Sequence, residues 1–215
     1  LFLAIAASTV LIGLLVPAFP EGRSSEDEVY TGAPIRWGLA IAGVSAAFLI
    51  FFAVGAIWSY AERIGSASSL SPHAIAQGLS VGTLAGVVGA ALAGMLPQRW
   101  NRLMPVAAGS LCVIAGFMTL SGHLASMMYL AGVVLMMFGW NFLQPLLSGM
   151  CSDADENGRV VCAMGSIQSI GMGLGPAVVA PLIAKGSYTG AIWVASIAVI
   201  IGIGFVVVET VMRRR

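Results

Sequence analysis

The constraint that governs this chain is where its charges are missing. Ten basic and nine acidic residues are spread over 215 positions, yet seven long stretches carry almost none of them. These runs cover 1–19, 37–61, 74–96, 103–120, 124–150, 160–184 and 190–211. Each approaches the roughly 20 apolar residues that span a hydrocarbon core about 30 Å thick. Only Glu209 lies well inside a run, and it sits near the end of the chain. Lipid offers no partner to a backbone amide, so such runs must satisfy their own hydrogen bonds as helices, and the alternation of a membrane β-barrel does not occur. Composition agrees. Charged residues are 9% of the chain, hydrophobic ones 59%, and the mean hydropathy is +0.96, whereas a soluble domain carries roughly a quarter charged residues. The chain reads as an all-α polytopic membrane protein whose first partner is the lipid bilayer. A formal net charge of +1 offers no basic face to nucleic acid.

The basic residues orient the runs, because Lys and Arg accumulate on the cytoplasmic side. With alternating crossings, Arg23, Arg36, Arg99, Arg102, Arg159, Arg213, Arg214 and Arg215 share one side, and only Arg63 and Lys185 fall on the other. The arginine-rich side is therefore expected to be cytoplasmic, with the carboxy terminus inside, as in a bacterial inner membrane. The chain opens in the middle of a hydrophobic run, without an initiator Met and without the basic start of a signal peptide. It is expected to be part of something longer on its amino side. Cys112, Cys151 and Cys162 have no metal-binding spacing, and His73 and His123 stand alone at helix starts. No cofactor and no metal are expected.

Glycines mark where helices approach closely. In the third run Ala74, Gly78, Gly82, Gly86, Ala90 and Gly94 recur every four residues, which places them on one helix face where a neighbouring backbone can come close. The sixth run repeats this with Gly171 and Gly175, and with Gly165, Ser169 and Gly173, before Pro176 and Pro181 bend it. Two such helices three runs apart fit a pair of three-helix repeats, runs two to four and five to seven. An odd number of helices relates these repeats by inverted topology, a pattern of secondary transporters.

Polar residues inside the runs are candidates for function, since each is costly in lipid without a partner or a cavity. Trp58 and Glu62 share a face at the end of the second run, beside Tyr60 and Arg63. They read either as an interfacial belt with an ion pair or as a cavity wall whose Glu62 carries a coupling proton. Gln77, Ser80 and Thr83 form a stripe in the third run, Trp140, Asn141 and Gln144 precede Pro145 in the fifth, and Ser166, Gln168 and Ser169 lie in the sixth. These amides can bond between helices or line a cavity, and their presence on three helices with two tryptophans favours the cavity. Glu209 stands four residues before Arg213, the favourable order for a helical ion pair.

Between the third and fourth runs the chain reads Gly94-Met95-Leu96-Pro97-Gln98-Arg99-Trp100-Asn101-Arg102. This resembles the loop signature G-x-x-x-D-R-x-G-R of the major facilitator superfamily, in the copy carried by the second half of those transporters. Gly94, Arg99 and Arg102 match; Gln98 replaces the acid and Asn101 the second glycine. Gly158-Arg159 entering the Gly/Pro-rich run 160–184 also resembles that family. The resemblance implies a twelve-helix plan of which this chain holds the last seven. Residues 1–20 would then be the last helix of the amino-terminal half, 21–36 the central cytoplasmic loop, and 37–215 the carboxy-terminal six-helix half, its partner being the remaining half of the same protein.

The function expected on this basis is secondary active transport of a small solute by alternating access, coupled to protons. Trp58, Tyr60, Gln77, Trp140, Asn141, Gln144 and Gln168 are the expected substrate-facing residues, Glu62 is the coupling candidate, and Gly78, Gly82, Gly86, Gly171 and Gly175 the packing positions. The alternative is a complete seven-helix receptor or sensor. A retinal protein would need a lysine at mid-membrane, whereas Lys185 lies in a loop. A membrane enzyme would need a nucleophile and base, or metal ligands, at depth, and no His, Asp or Glu lies there.

Overall fold

The computed structural model describes residues 34–96, 102–122, 124–184 and 188–213. They belong to one compact unit, Pro34–Arg215. The first apolar run, most of 21–36, Arg99, His123 and Lys185 lie outside the described residues. Helices account for nearly all that is described, and no strand occurs among the described residues. They are α1 (Trp37–Trp58), α2 (Ala61–Ala67), α3 (Pro72–Gly94), α4 (Leu103–Thr119), α5 (Ser126–Ala154), α6 (Arg159–Ala184) and α7 (Tyr188–Arg213). Among the described residues five spans are long and apolar enough to cross a bilayer, with α1 and α2 forming a single 31-residue span; α4, with 17 residues, is shorter. The chain is thus an all-helical apolar bundle of the kind an integral membrane protein forms.

Local chemistry sets the helix ends. Ser71 accepts a hydrogen bond from the Ala74 N–H at 3.2 Å, and Pro72 occupies the first turn of α3; this cap and proline suit a helix start. The apolar run beginning at Trp37 does not stay one smooth helix. It breaks at Ser59 and Tyr60 and resumes as the seven-residue α2, which carries Glu62 and Arg63 past the apolar stretch. Between α5 and α6 the Asp155 carboxylate accepts the backbone N–H groups of Arg159 (2.7 Å) and Val160 (3.3 Å), two of the otherwise unpaired donors at the start of α6. Its ion pair with the Arg159 guanidinium at 2.8 Å holds its carboxyl well below the ordinary range, at about 2.

The three most extensive helix contacts join helices that are not adjacent in sequence. α3 packs chiefly on α5, α6 on α1, α4 on α5, and α7 on α1, with α1 against α5 and α4 against α7 completing the bundle. Glycine decides the first two pairings. A Cβ at Gly82 would stand 2.6 Å from a methyl of Val133, and one at Gly78 2.7 Å from the Tyr129 ring, both on α5. On α6 a Cβ at Gly171 would stand 2.7 Å from the carbonyl oxygen of Phe48, and one at Gly175 would collide with that of Phe52. Backbone meets backbone there, the close packing that small residues permit within a bilayer.

The core so formed is apolar and includes Ile50, Phe117, Met136, Leu143 and Val199. Buried Tyr129 donates to the Ala61 carbonyl at 3.1 Å, joining α5 to α2. The outer faces carry exposed Leu84, Val87, Ile197 and Ile200, a surface suited to lipid. Three threonine hydroxyls on the helices turn back on their own backbone. Thr83 bonds the Leu79 carbonyl at 2.9 Å, Thr119 that of Ala115 at 2.7 Å, and Thr210 that of Val206 at 2.8 Å, which satisfies them without a neighbouring helix.

Candidate functional site: a polar cleft between three helices

α1, α5 and α6 leave between them a cleft of about 630 Å³. Phe51 and Ser59 come from α1 and its break, Gln144 from α5, and Gln168, Ser169 and Met172 from α6. Gly165 and Gly173 complete the α6 wall, and a Cβ at either would meet nothing within 4 Å. α6 therefore has two glycine faces with opposite uses. Gly171 and Gly175 are filled by α1, whereas Gly165 and Gly173 stay open on either side of Ser169, whose hydroxyl bonds the Gly165 carbonyl at 3.1 Å.

The cleft carries four polar side chains, Ser59, Gln144, Gln168 and Ser169, and none of its described lining residues is ionisable. Gln168 is only 6% exposed, and its Nε2 has no hydrogen-bond partner among the described residues. Such a group is costly, by roughly 1–3 kcal/mol, unless something bonds to it. Trp140 packs edge-on against Phe51 with ring centroids 5.8 Å apart, and its Nε1 is likewise buried without a partner among the described residues.

The expected substrate-facing residues fall in different places. Gln144 and Gln168 meet in the cleft, with Trp140 behind Phe51. Tyr60 borders it, donating from its hydroxyl to the Pro176 carbonyl at 3.2 Å. Asn141 donates to the Met137 carbonyl of its own helix at 2.9 Å and fills the seam against Gly86. Trp58 is half-buried against the core, and Gln77 is exposed on the outer face of α3. Glu62 is exposed and lines a separate cleft of about 330 Å³ with Ser66, Leu70, Pro72 and Ile75. Arg63 does not pair with it; its guanidinium lies over the Tyr60 ring, 5.7 Å from the centroid.

The opposite end of the bundle holds a charge cluster that sequence reasoning missed. Asp153, in the last turn of α5, forms ion pairs with Arg102, just before α4, and with Arg213, at the end of α7. Arg213 also pairs with Glu209 at 2.7 Å, at the expected four-residue spacing. Arg36 donates to the Asp153 carbonyl with its side chain and to the Ala154 carbonyl with its backbone N–H. One carboxylate and its neighbouring carbonyls thus gather three helix ends and the segment leading into α1. Gly94, of the loop signature, ends α3 with open space around it, and Arg99 lies outside the described residues. The only signal in the sequence was an acid directly after an apolar run, and Asp155 and Glu156 share that signal. Among the described residues no group of histidines, cysteines and carboxylates could hold a metal ion. No protein family's sequence profile matches the chain, and no curated protein matches it significantly.

Proposed function

We propose that this chain forms the carboxy-terminal six-helix half of a major-facilitator-like secondary transporter, which moves a small solute by alternating access and couples that movement to protons. The observation that carries this reading is a cleft among apolar helices whose described lining holds polar but no ionisable side chains, with a buried amide left without a partner among the described residues. A purely structural bundle gains nothing from such a cavity; a solute path needs one.

The order of packing supports the same reading. Exchanging α1, α3 and α4 for α5, α6 and α7 turns the α3–α5 contact into α6–α1 and the α4–α5 contact into α7–α1. It leaves α1–α5 and α4–α7 as self-matched pairs, and all of these contacts occur, while the smaller α5–α6 and α6–α7 contacts have no image of comparable extent. Two inverted three-helix repeats would pack in this way. The arginines at the Asp153 end agree with a cytoplasmic placement of that end in a bacterial inner membrane, and Glu62 at the far end remains the coupling candidate.

The full-length protein reconstituted in liposomes tests this. With an imposed pH gradient, addition of a transported solute should move protons into the vesicles, read by an internal pH dye. The same response without protein would end the transport reading. Unchanged proton-driven flux in Glu62→Gln would end the coupling assignment alone.

A further inference from the structure

The cleft constrains the solute as well as its place. We infer that the part of the solute held by this half is uncharged, carries both hydrogen-bond donors and acceptors, and is recognised chiefly by Gln168. This deepens the transport reading and rests on it.

The first ground is the state of Gln168. Gln168 lines the cleft and is more than nine-tenths buried, and its Nε2, set back from the open space, has no partner among the described residues. A carboxamide offers an acceptor oxygen and two donor hydrogens. With no hydrogen bond holding it, its end can turn over and present either to a solute. A second carboxamide, Gln144, lines the same cleft from α5. Ser169 spends its hydrogen on the Gly165 carbonyl, so its oxygen is left as an acceptor. Donors and acceptors are therefore both on offer, which suits amide, hydroxyl or heterocyclic groups.

The second ground is what the cleft lacks. No described lining side chain is ionisable, so an ammonium or carboxylate placed against this wall would leave water without a counter-charge from it, at a heavy cost in a low-dielectric site. A neutral solute loses less water and recovers its bonds from the amides. The third ground is shape. Open space over Gly165 and Gly173 lets a solute approach the α6 backbone on either side of Ser169, while Phe51, Met172 and Pro176 cover its apolar side.

The test measures binding rather than flux, so that failure here is distinguishable from failure of the transport reading. Purified full-length protein is titrated with two matched sets of probes, glucose, glucuronate and glucosamine, and nicotinamide, nicotinate and 3-(aminomethyl)pyridine. Thermal stabilisation and calorimetry provide the readouts. The neutral member of at least one set should bind, at least tenfold more tightly than its charged partners. Gln168→Met should weaken that binding about tenfold, and Gln168→Glu should shift preference to the amine. The unliganded melting temperature of each variant reports its folding, and Gln144→Met serves if Gln168→Met does not fold. Equal or tighter binding of a charged member, unchanged affinity in a folded Gln168→Met (or Gln144→Met) variant, or no response to either neutral probe overturns the inference. Neutral binding that depends on Gln168 without solute flux counts against transport alone.

Discussion

Arg102, the residue before α4, forms an ion pair with Asp153 in the last turn of α5. The same carboxylate holds Arg213 at 2.7 Å. A loop arginine whose own segment carries Gln98 where an acid would stand thus finds its carboxylate on another helix. Replacing Asp153 with Asn should leave two guanidinium groups facing each other. The three side chains are about one-third exposed, so solvent screening keeps each pair near the surface value, and we expect a loss of about 1 kcal/mol. That corresponds to roughly 2–4 °C in Tm for a chain of this size. The loss should shrink in high salt, which a melt of the detergent-solubilised protein at two ionic strengths will read.

Gly175 and Gly204 make opposite predictions from the same substitution. A Cβ at Gly175 would collide with the Phe52 carbonyl, whereas one at Gly204 meets nothing within 4 Å. Gly175→Ala must push α6 away from α1, and backbone cannot yield as a side-chain tip does. The expected cost is about 3 kcal/mol, the upper end for overpacking. Gly204→Ala should be neutral or slightly stabilising, because alanine suits a helix better than glycine. Equal melting temperatures for the two variants would count against the close α1–α6 contact.

Tyr60 ties the break between α1 and α2 to the Pro176 region of α6 through a hydrogen bond of 3.2 Å. Tyr60→Phe keeps the ring beneath Arg63 and removes only the hydroxyl. The expected effect is a loss of about 1 kcal/mol, with faster amide hydrogen exchange across Ser59–Glu62. Unchanged exchange there would show that the hydroxyl does not hold the break.

Asp155 predicts a pH dependence. The Arg159 guanidinium and the backbone N–H groups at the start of α6 hold its carboxyl at about 2, below the unfolded value of about 3.9. The charged form therefore favours the folded state. This stability is fully present above about pH 4 and disappears as the pH falls through about 2. Asp155→Asn should melt at a lower temperature than the parent at neutral pH and converge with it near pH 2. A constant gap between the two curves would refute the assignment.

The helices were legible because water and lipid sort residues so strongly. The charge-free run 160–184 begins one residue from the start of α6 at Arg159 and ends with it at Ala184. The break at Ser59–Tyr60 was not legible, since neither residue is a glycine or proline that would mark it and the contact with Pro176 comes from a helix far along the chain. The glycine repeat announced that α3 packs tightly but not that its partner is α5. That choice also decides Gln77. Successive helical residues turn by about 100°, so a face that buries Gly78 and Gly82 against α5 carries Gln77 to the outside. Gln144 and Gln168 meet because the faces of α5 and α6 that carry them border the space α1 leaves open, which no spacing within either run encodes. Asp153 was hidden for a simpler reason: among Asp153, Asp155 and Glu156, only tertiary structure distinguishes the hub from the cap.

The length of α4 has a consequence outside the protein. Its 17 residues rise about 26 Å at 1.5 Å each, several ångströms less than a hydrocarbon layer about 30 Å thick. Arg102 at one end and Ser121 beyond the other bring polar groups close to where the acyl chains should still extend. If α4 crosses the bilayer with its neighbours, lipids flanking it would have to shorten and the membrane to dip beside it, at a cost of fractions of a kcal/mol per ångström. Such a bundle would carry a dimple on one flank in thick bilayers and should gather into thinner membranes when offered both.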